Sequence, residues 1–286
     1  MKETHSDSED FHIIWIPTMA CNLTCSYCAA RVLPIKTHGT PLGPDVWLDI
    51  FQECPRLITL FQPTGREPSC YKGISDVVRG VEFKYWTVDT NLMLSPSEWL
   101  HDDLIQRMSH INVSLHFHPL HERAKVFWEH LSWLAGKMPL GAINLSVVLS
   151  QRELPEEIEL VKEMAMKVNE DINVHVLSFD PRYLYREIEP VRPGQADACG
   201  GGRRLIVIMP DSAVYRCIGQ SYFSVHPMGN LLQDGWGILN DCDTPCDHLL
   251  CGHCDQELTS EMDKPLPVMV DYWMGNADLK STYSDW

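Results

Sequence analysis

The sequence predicts an α/β fold built around a parallel sheet. Strand-like apolar runs and helix-like segments alternate from residue 11 to residue 179, joined by short connections, as parallel strands with crossover helices require. After Phe179 the composition changes. Asp180-Pro181 opens a link rich in proline, arginine and glycine that runs to Cys199-Gly200-Gly201-Gly202, so a boundary is expected near 190. Beyond it the pattern is that of a short hairpin.

The first apolar run, residues 11–17, reads as a strand, and further strands are expected at 56–62, 83–90, 110–117, 142–149 and 172–179. Helices fit 44–53, 71–80, 96–107, 120–136 and 154–168. Ser95-Pro96-Ser97-Glu98 and Glu153-Leu154-Pro155-Glu156 supply two of the start signals. The hairpin is Leu205-Ile206-Val207-Ile208-Met209-Pro210, a turn at Asp211-Ser212, and Ala213-Val214-Tyr215-Arg216-Cys217.

At 286 residues the chain can bury one large core, or one domain with an appendage. No apolar run approaches the roughly 20 residues of a membrane helix. Residues 1–10 lack the apolar core of a signal peptide, so a cytoplasmic location is expected. There are 11 cysteines, grouped at 21–28 and 199–254 with only Cys54 and Cys70 outside, a distribution that suits two metal regions better than a disulfide scaffold. A formal charge of −16, from 39 acidic and 23 basic side chains, argues against nucleic acid as a partner. It weakly favours a cationic substrate; a solubilising acidic surface explains it as well.

Met19-Ala20-Cys21-Asn22-Leu23-Thr24-Cys25-Ser26-Tyr27-Cys28 follows the first strand, so its thiols sit on the loop leaving the strand's carboxyl end. Three thiolates at C-x3-C-x2-C spacing can hold three corners of a [4Fe–4S] cubane, and with no fourth ligand one iron stays open. A zinc site generally wants a second ligand pair, and a reduced chain rarely stores disulfides. The motif resembles that of the radical S-adenosylmethionine (SAM) enzymes. The resemblance implies that the open iron chelates SAM by its amino and carboxylate groups and donates an electron that cleaves the sulfonium. A hydrogen-abstracting 5′-deoxyadenosyl radical results. It further implies a partial (β/α)6 TIM-like barrel with chemistry at the strands' carboxyl ends, and a reductant of the flavodoxin or ferredoxin type. Tyr27 stands where the family places an aromatic beside the adenine, or is simply a loop aromatic.

The second strand ends in Phe61-Gln62-Pro63-Thr64-Gly65-Arg66-Glu67-Pro68. Here the family carries a Gly-Gly-Glu-Pro-like turn that holds the SAM ammonium, and this chain has Arg66 in place of the second glycine. Gly65 permits a tight backbone approach and Glu67 can accept from an ammonium. The family's contacts to the methionyl carboxylate and ribose map to Thr90, Asn91, Ser114 and His116, although an aspartate often stands where His116 does. His116, His118 and His121 form a polar rim or part of a substrate wall.

Cys199 and Cys217 bracket the hairpin, and Cys242, Cys246, Cys251 and Cys254 follow. This resembles the twitch or SPASM extension, which implies one auxiliary [4Fe–4S] cluster on Cys199, Cys217, Cys251 and Cys254, with zinc as the rival occupant. Cys242 and Cys246 are then left over. A free thiol near the substrate can return a hydrogen atom to a carbon radical, as in radical SAM epimerases; alternatively one of the two replaces Cys251, or both are inert.

The expected division is a barrel at 1–190, an auxiliary-cluster domain at 191–260 and a tail at 261–286, either packing or covering the site. The first strand starts near residue 11 and only residues 255–286 follow the last cysteine, leaving no room for a leader-binding domain. The expected activity is therefore that of the compact aminoglycoside group, epimerising a sugar carbon of a small cationic metabolite. Its rivals are an aminoglycoside-type dehydrogenase using the auxiliary cluster, a maturase of ribosomally made peptides, and an iron–sulfur electron carrier.

Overall fold

The computed structural model describes residues 11–25, 28, 39–116, 120–149, 155–178, 202, 204–223 and 227–241. In chain order the elements are β1 (His12–Trp15), α1 (Pro44–Gln52), β2 (Ile58–Pro63), α2 (Ile74–Gly80), β3 (Phe83–Thr90), α3 (Pro96–Trp99), α4 (Asp102–Arg107) and β4 (Met108–Leu115). There follow α5 (Glu122–Ala135), β5 (Ile143–Leu149), α6 (Pro155–Val168), β6 (Asn173–Ser178), β7 (Leu205–Ile208), β8 (Ala213–Tyr215), α7 (Ile218–Phe223), β9 (Gly229–Asn230) and α8 (Leu231–Asp234). Among the described residues no helix is long and apolar enough to cross a membrane.

The strands form one sheet in the order β6-β5-β4-β3-β2-β1-β7-β8-β9. From β1 to β6 neighbours in sequence are neighbours in space, all parallel, with a helical crossover between each pair. That sequential order is the one a (β/α) barrel takes when left open. The hairpin continues the same sheet, because β7 pairs in parallel with the other edge of β1 and β8 returns antiparallel. The link before it, including the expected boundary near 190, lies outside the described residues, as does the tail.

All six expected barrel strands form, with ends shifted by a residue or two. The helix expected at 96–107 is instead two. Leu100 (φ −113°, ψ 114°) and His101 (φ −83°, ψ 150°) are extended, and Ser75 Oγ donates to the carbonyl of Trp99 that the break releases. The kink lets Trp99 and Leu100 bury on one side of it and Leu104 and Ile105 on the other. The segment expected at 71–80 turns helical only after Gly73, whose φ of +96° suits a residue without a Cβ. The short α7, α8 and the 3-10 segment Gly235–Asp241 carry no periodic signal long enough to read from sequence; Trp236 Nε1 pins the last of these by donating to Ile50 O at 2.7 Å.

The two faces of the sheet differ in kind. Phe11, Ile13 and Trp15 of the first strand, with Phe61, Trp86, Val88, Ile111, Val113, Leu145 and Val147, face the helices and form the main core. At its centre Trp15 meets Trp47, Phe51, Phe61 and Tyr71 at centroid distances of 5.5, 5.7, 5.6 and 5.6 Å. Edge-on and stacked contacts of this kind add to the area the rings bury. Trp15 is fully buried at the start of the cysteine loop, so Trp15→Ala should cost about 3–5 kcal/mol, read as a lower urea midpoint at unchanged m-value.

Candidate active site

The loop after β1 is shaped by its own polar groups. Thr18 Oγ1 accepts from Ala20 N at 3.0 Å, Leu23 N–H points at Cys21 Sγ at 3.4 Å, and Cys28 N donates to Cys25 O at 3.3 Å. Leu23 is buried and anchors the turn. Cys21, Cys25 and Cys28 form no disulfide, and each is partly exposed. Burial pushes the Cys21 thiol up, and the Leu23 N–H opposes that shift by favouring the thiolate.

The turn after β2 fits against this loop. Gly65 has φ +113°, and a Cβ there would lie 2.7 Å from Ile16 Cγ2, so both conformation and space require glycine. Arg66, the departure from the double glycine, sends Nη1 to Met19 O at 3.1 Å and so ties the turn to the cysteine loop.

Glu67 is fully buried. Its Oε1 accepts from Ser69 N (3.1 Å), Ser69 Oγ (2.5 Å) and Thr90 Oγ1 (2.8 Å), and its Oε2 accepts from Asn91 N at 2.7 Å. Burial raises its pKa, while these bonds stabilise the ion. Asn91 is thereby fixed: its Oδ1 accepts from Met93 N, and its Nδ2 reaches Asn22 Oδ1 at 2.8 Å and Cys21 Sγ at 3.7 Å. The carboxyl ends of β2 and β3 and the cysteine loop are thus one bonded unit.

No protein-family model and no curated protein matches the chain. Solved structures do match. SuiB of Streptococcus suis bound to S-adenosylmethionine superposes with a TM-score of 0.55 at 16% identity, over 86% of this chain and 68% of SuiB. SuiB bound to precursor peptide SuiA gives 0.56 at 15%, over 86% and 67%. BtrN in complex with AdoMet and 2-DOIA gives 0.47 at 14%, over 89% and 90%. The chain shares the fold of SuiB.

In that fold the residues expected at the site divide into groups. Gly65, Glu67, Thr90 and Asn91 converge on the cysteine loop, but Glu67 and Thr90 spend their polar atoms on each other and on nearby backbone. Ser114 and His116 lie at the carboxyl end of β4 and keep part of their surface open; burial lowers His116 to about 4, so its ring is neutral near pH 7. Cys217 is buried just beyond β8. Tyr27, Cys199, Cys242, Cys246, Cys251, Cys254 and His118 lie outside the described residues.

Among the described residues no three His, Cys, Asp or Glu side chains converge to hold a single metal ion. The fit to a cluster rests on donor chemistry. Three thiols outside any disulfide share one loop, and the Leu23 N–H and the Asn91 amide both point at the Cys21 sulfur, as a thiolate ligand favours.

Two features escaped the sequence reading. Cys70 stands beside the cysteine loop, accepting from the Asn22 backbone and close enough to Cys21 for their charges to interact. The inner face of the sheet is polar: Gln62, Thr87, Asp89, His110, Asn112, Asn144 and Ser146 alternate with the apolar residues of the core. That alternation is visible in Thr87-Val88-Asp89 and His110-Ile111-Asn112. In a parallel sheet, whose strands are usually apolar on both faces, it was the available signal. Glu67→Gln would turn an amide N–H toward the Asn91 N–H, leaving a buried donor unsatisfied; equilibrium denaturation should show a loss of about 1–3 kcal/mol.

Proposed function

We propose that the chain is a radical SAM enzyme that removes a carbon-bound hydrogen from a small cationic metabolite. The observation that carries this reading is the loop of three thiols, Cys21, Cys25 and Cys28, with Asn91 directed at Cys21, at the carboxyl end of β1 in a fold shared with SuiB. When bound there, a [4Fe–4S] cluster and SAM supply reductive, hydrogen-abstracting radical chemistry. Asn91 orients the Cys21 sulfur, Glu67 holds Asn91, and Gly65 lets the backbone pass close to the loop. Ser114 and His116 offer a hydroxyl and a neutral imidazole to a ribose, and Tyr27 a ring to the adenine. A flavodoxin or ferredoxin-type protein delivers the electron.

Within that reaction type we assign a redox-neutral epimerisation of an aminoglycoside-type sugar carbon. Cys246 or Cys242 returns a hydrogen atom from the opposite face, and the sulfur radical left behind takes up one electron and one proton. The motive is the pair of cysteines beyond the four, Cys199, Cys217, Cys251 and Cys254, that an auxiliary cluster uses. The acidic charge supports an amine-bearing substrate. A second reading, maturation of a ribosomally made peptide, draws support from the likeness to SuiB bound to its precursor peptide.

Anaerobically reconstituted protein should hold about eight irons per chain, two cubanes' worth. Replacing Cys21, Cys25 and Cys28 together by alanine should halve the iron and abolish reductive SAM cleavage; cleavage that survives removes the assignment. Heavy water separates the reactions that remain. An epimerase places one solvent deuterium on the inverted carbon and loses product when the donor thiol becomes alanine, whereas a two-electron oxidation leaves a carbonyl and needs neither.

A further inference from the structure

We infer that the inner face of the sheet holds an ammonium-binding site built on Asp89, Gln62, His12 and Thr87, which takes a primary amine of the substrate. The inference rests on the reading above and names where that substrate's charge is held. Asp89 Oδ2 accepts from Gln62 Nε2 at 3.0 Å and Thr64 Oγ1 at 2.5 Å, and Oδ1 accepts from Asn112 Nδ2 at 2.7 Å. Behind Asn112 the amides continue in one direction. Asn144 Nδ2 donates to Asn112 Oδ1 at 3.0 Å, and Asn173 Nδ2 donates to Asn144 Oδ1 at 3.2 Å, so side-chain dipoles from β4, β5 and β6 all point their N–H groups toward the carboxylate. Such a row favours the ionised acceptor at its end.

Every donor on Asp89 is neutral, and no cation figures among the groups that act on it. Burial also holds the neighbouring imidazoles neutral, His12 at about 3 and His110 at about 4. A buried carboxylate without a counter-charge is costly to keep.

The second observation is a set of buried polar atoms that make no well-formed hydrogen bond in the protein. Gln62 Oε1, His12 Nε2 and Thr87 Oγ1 lack a partner of good geometry, the Gln62 and His12 side chains reaching only each other, and their residues are 1%, 2% and 0% exposed. Gln62 links the set to Asp89, since its Nε2 is committed there and its amide also interacts with His12. Each of these atoms can accept a hydrogen bond, and Asp89 supplies the negative charge. An alkylammonium brings three donors and one positive charge on a single nitrogen, which an alcohol cannot match.

Asp89 keeps part of its surface open while Gln62, His12 and Thr87 do not, so a ligand reaches the site at the carboxylate. Two residues on, roughly 7 Å along the strand, stands Asn91 against the cysteine loop. A ring whose amine rests on Asp89 therefore has its far carbons beside that loop.

The test is calorimetric binding to the reconstituted, SAM-loaded protein at pH 7, with 2-deoxystreptamine as the amine probe and scyllo-inositol as its all-hydroxyl counterpart. Wild type should bind the diamine at least ~tenfold more tightly than the inositol, about the weight of one charged hydrogen bond. Asp89→Asn should lose that preference, with a lowered melting temperature because its amide N–H would face a donor such as Asn112 Nδ2, and Gln62→Met should lose part of it. No preference in wild type overturns the site. So does a preference that survives in Asp89→Asn or, should that variant fail to fold, one that is undiminished in Gln62→Met. SAM cleavage measured on the same preparation keeps the two readings apart: cleavage without amine preference ends this proposal alone, and Asp89-dependent amine binding without cleavage ends the enzyme reading alone.

Discussion

Glu67 buries a carboxylate with no cation among the groups that shift it, and the mouth of the sheet is organised around satisfying it. A buried ion is tolerated only when its lone pairs are filled, and here the donors come from its own turn (Ser69) and from the end of β3 (Thr90 and the Asn91 backbone). Because the Asn91 backbone is captured, its side chain has one direction left, toward Asn22 and Cys21. Arg66 closes the circuit from the other side through Met19. The position of the cysteine loop is thus set by hydrogen bonds that cross from β2 and β3, since Leu23 alone gives it little apolar burial.

The sheet beneath that mouth divides two tasks between its faces. The helix side carries the aromatic and aliphatic core that makes the fold stable, and the inner side gives up that burial to polar groups joined strand to strand. A barrel interior is ordinarily packed with branched aliphatic side chains. Where β1 meets β7 it still is: Ile14, Ile16, Leu205, Val207 and Met209 form a second apolar cluster on the inner side. The polar stretch begins at His12 and Gln62 and runs toward β6, so the apolar part braces the hairpin edge while the polar part is joined by side-chain hydrogen bonds from strand to strand.

What the sequence made legible was what it encodes locally. The barrel strands were readable because each is a short apolar run, and the cysteine loop because its spacing is itself the chemistry. Glu67 was expected to accept from an ammonium, but its bonds to Thr90 and Asn91 could not be read, since those donors stand 23 and 24 positions away in sequence. Asp89 was missed for a related reason. Its partners Gln62 and Asn112 are recognisable only once register is known, and register follows from packing the whole sheet. The break at Leu100 was hidden because the helical spacing of Trp99, Leu100, Leu104 and Ile105 runs straight through it, and tertiary burial of Trp99 and Leu100 decided the local conformation.

Register also sets the direction in which the chain leaves the hairpin. Tyr215 pairs with Val207 on the strand that starts at Leu205, and the chain leaves β8 just beyond Tyr215, where Cys217 is buried. Leu205 in turn pairs with His12 at the amino end of β1. The cysteine loop leaves the opposite end, beyond Ile16, roughly 13 Å higher for four residues of strand. β8 therefore runs down toward the His12 end, and the chain that carries Cys217 leaves it heading away from the end of β1 where the cysteine loop begins.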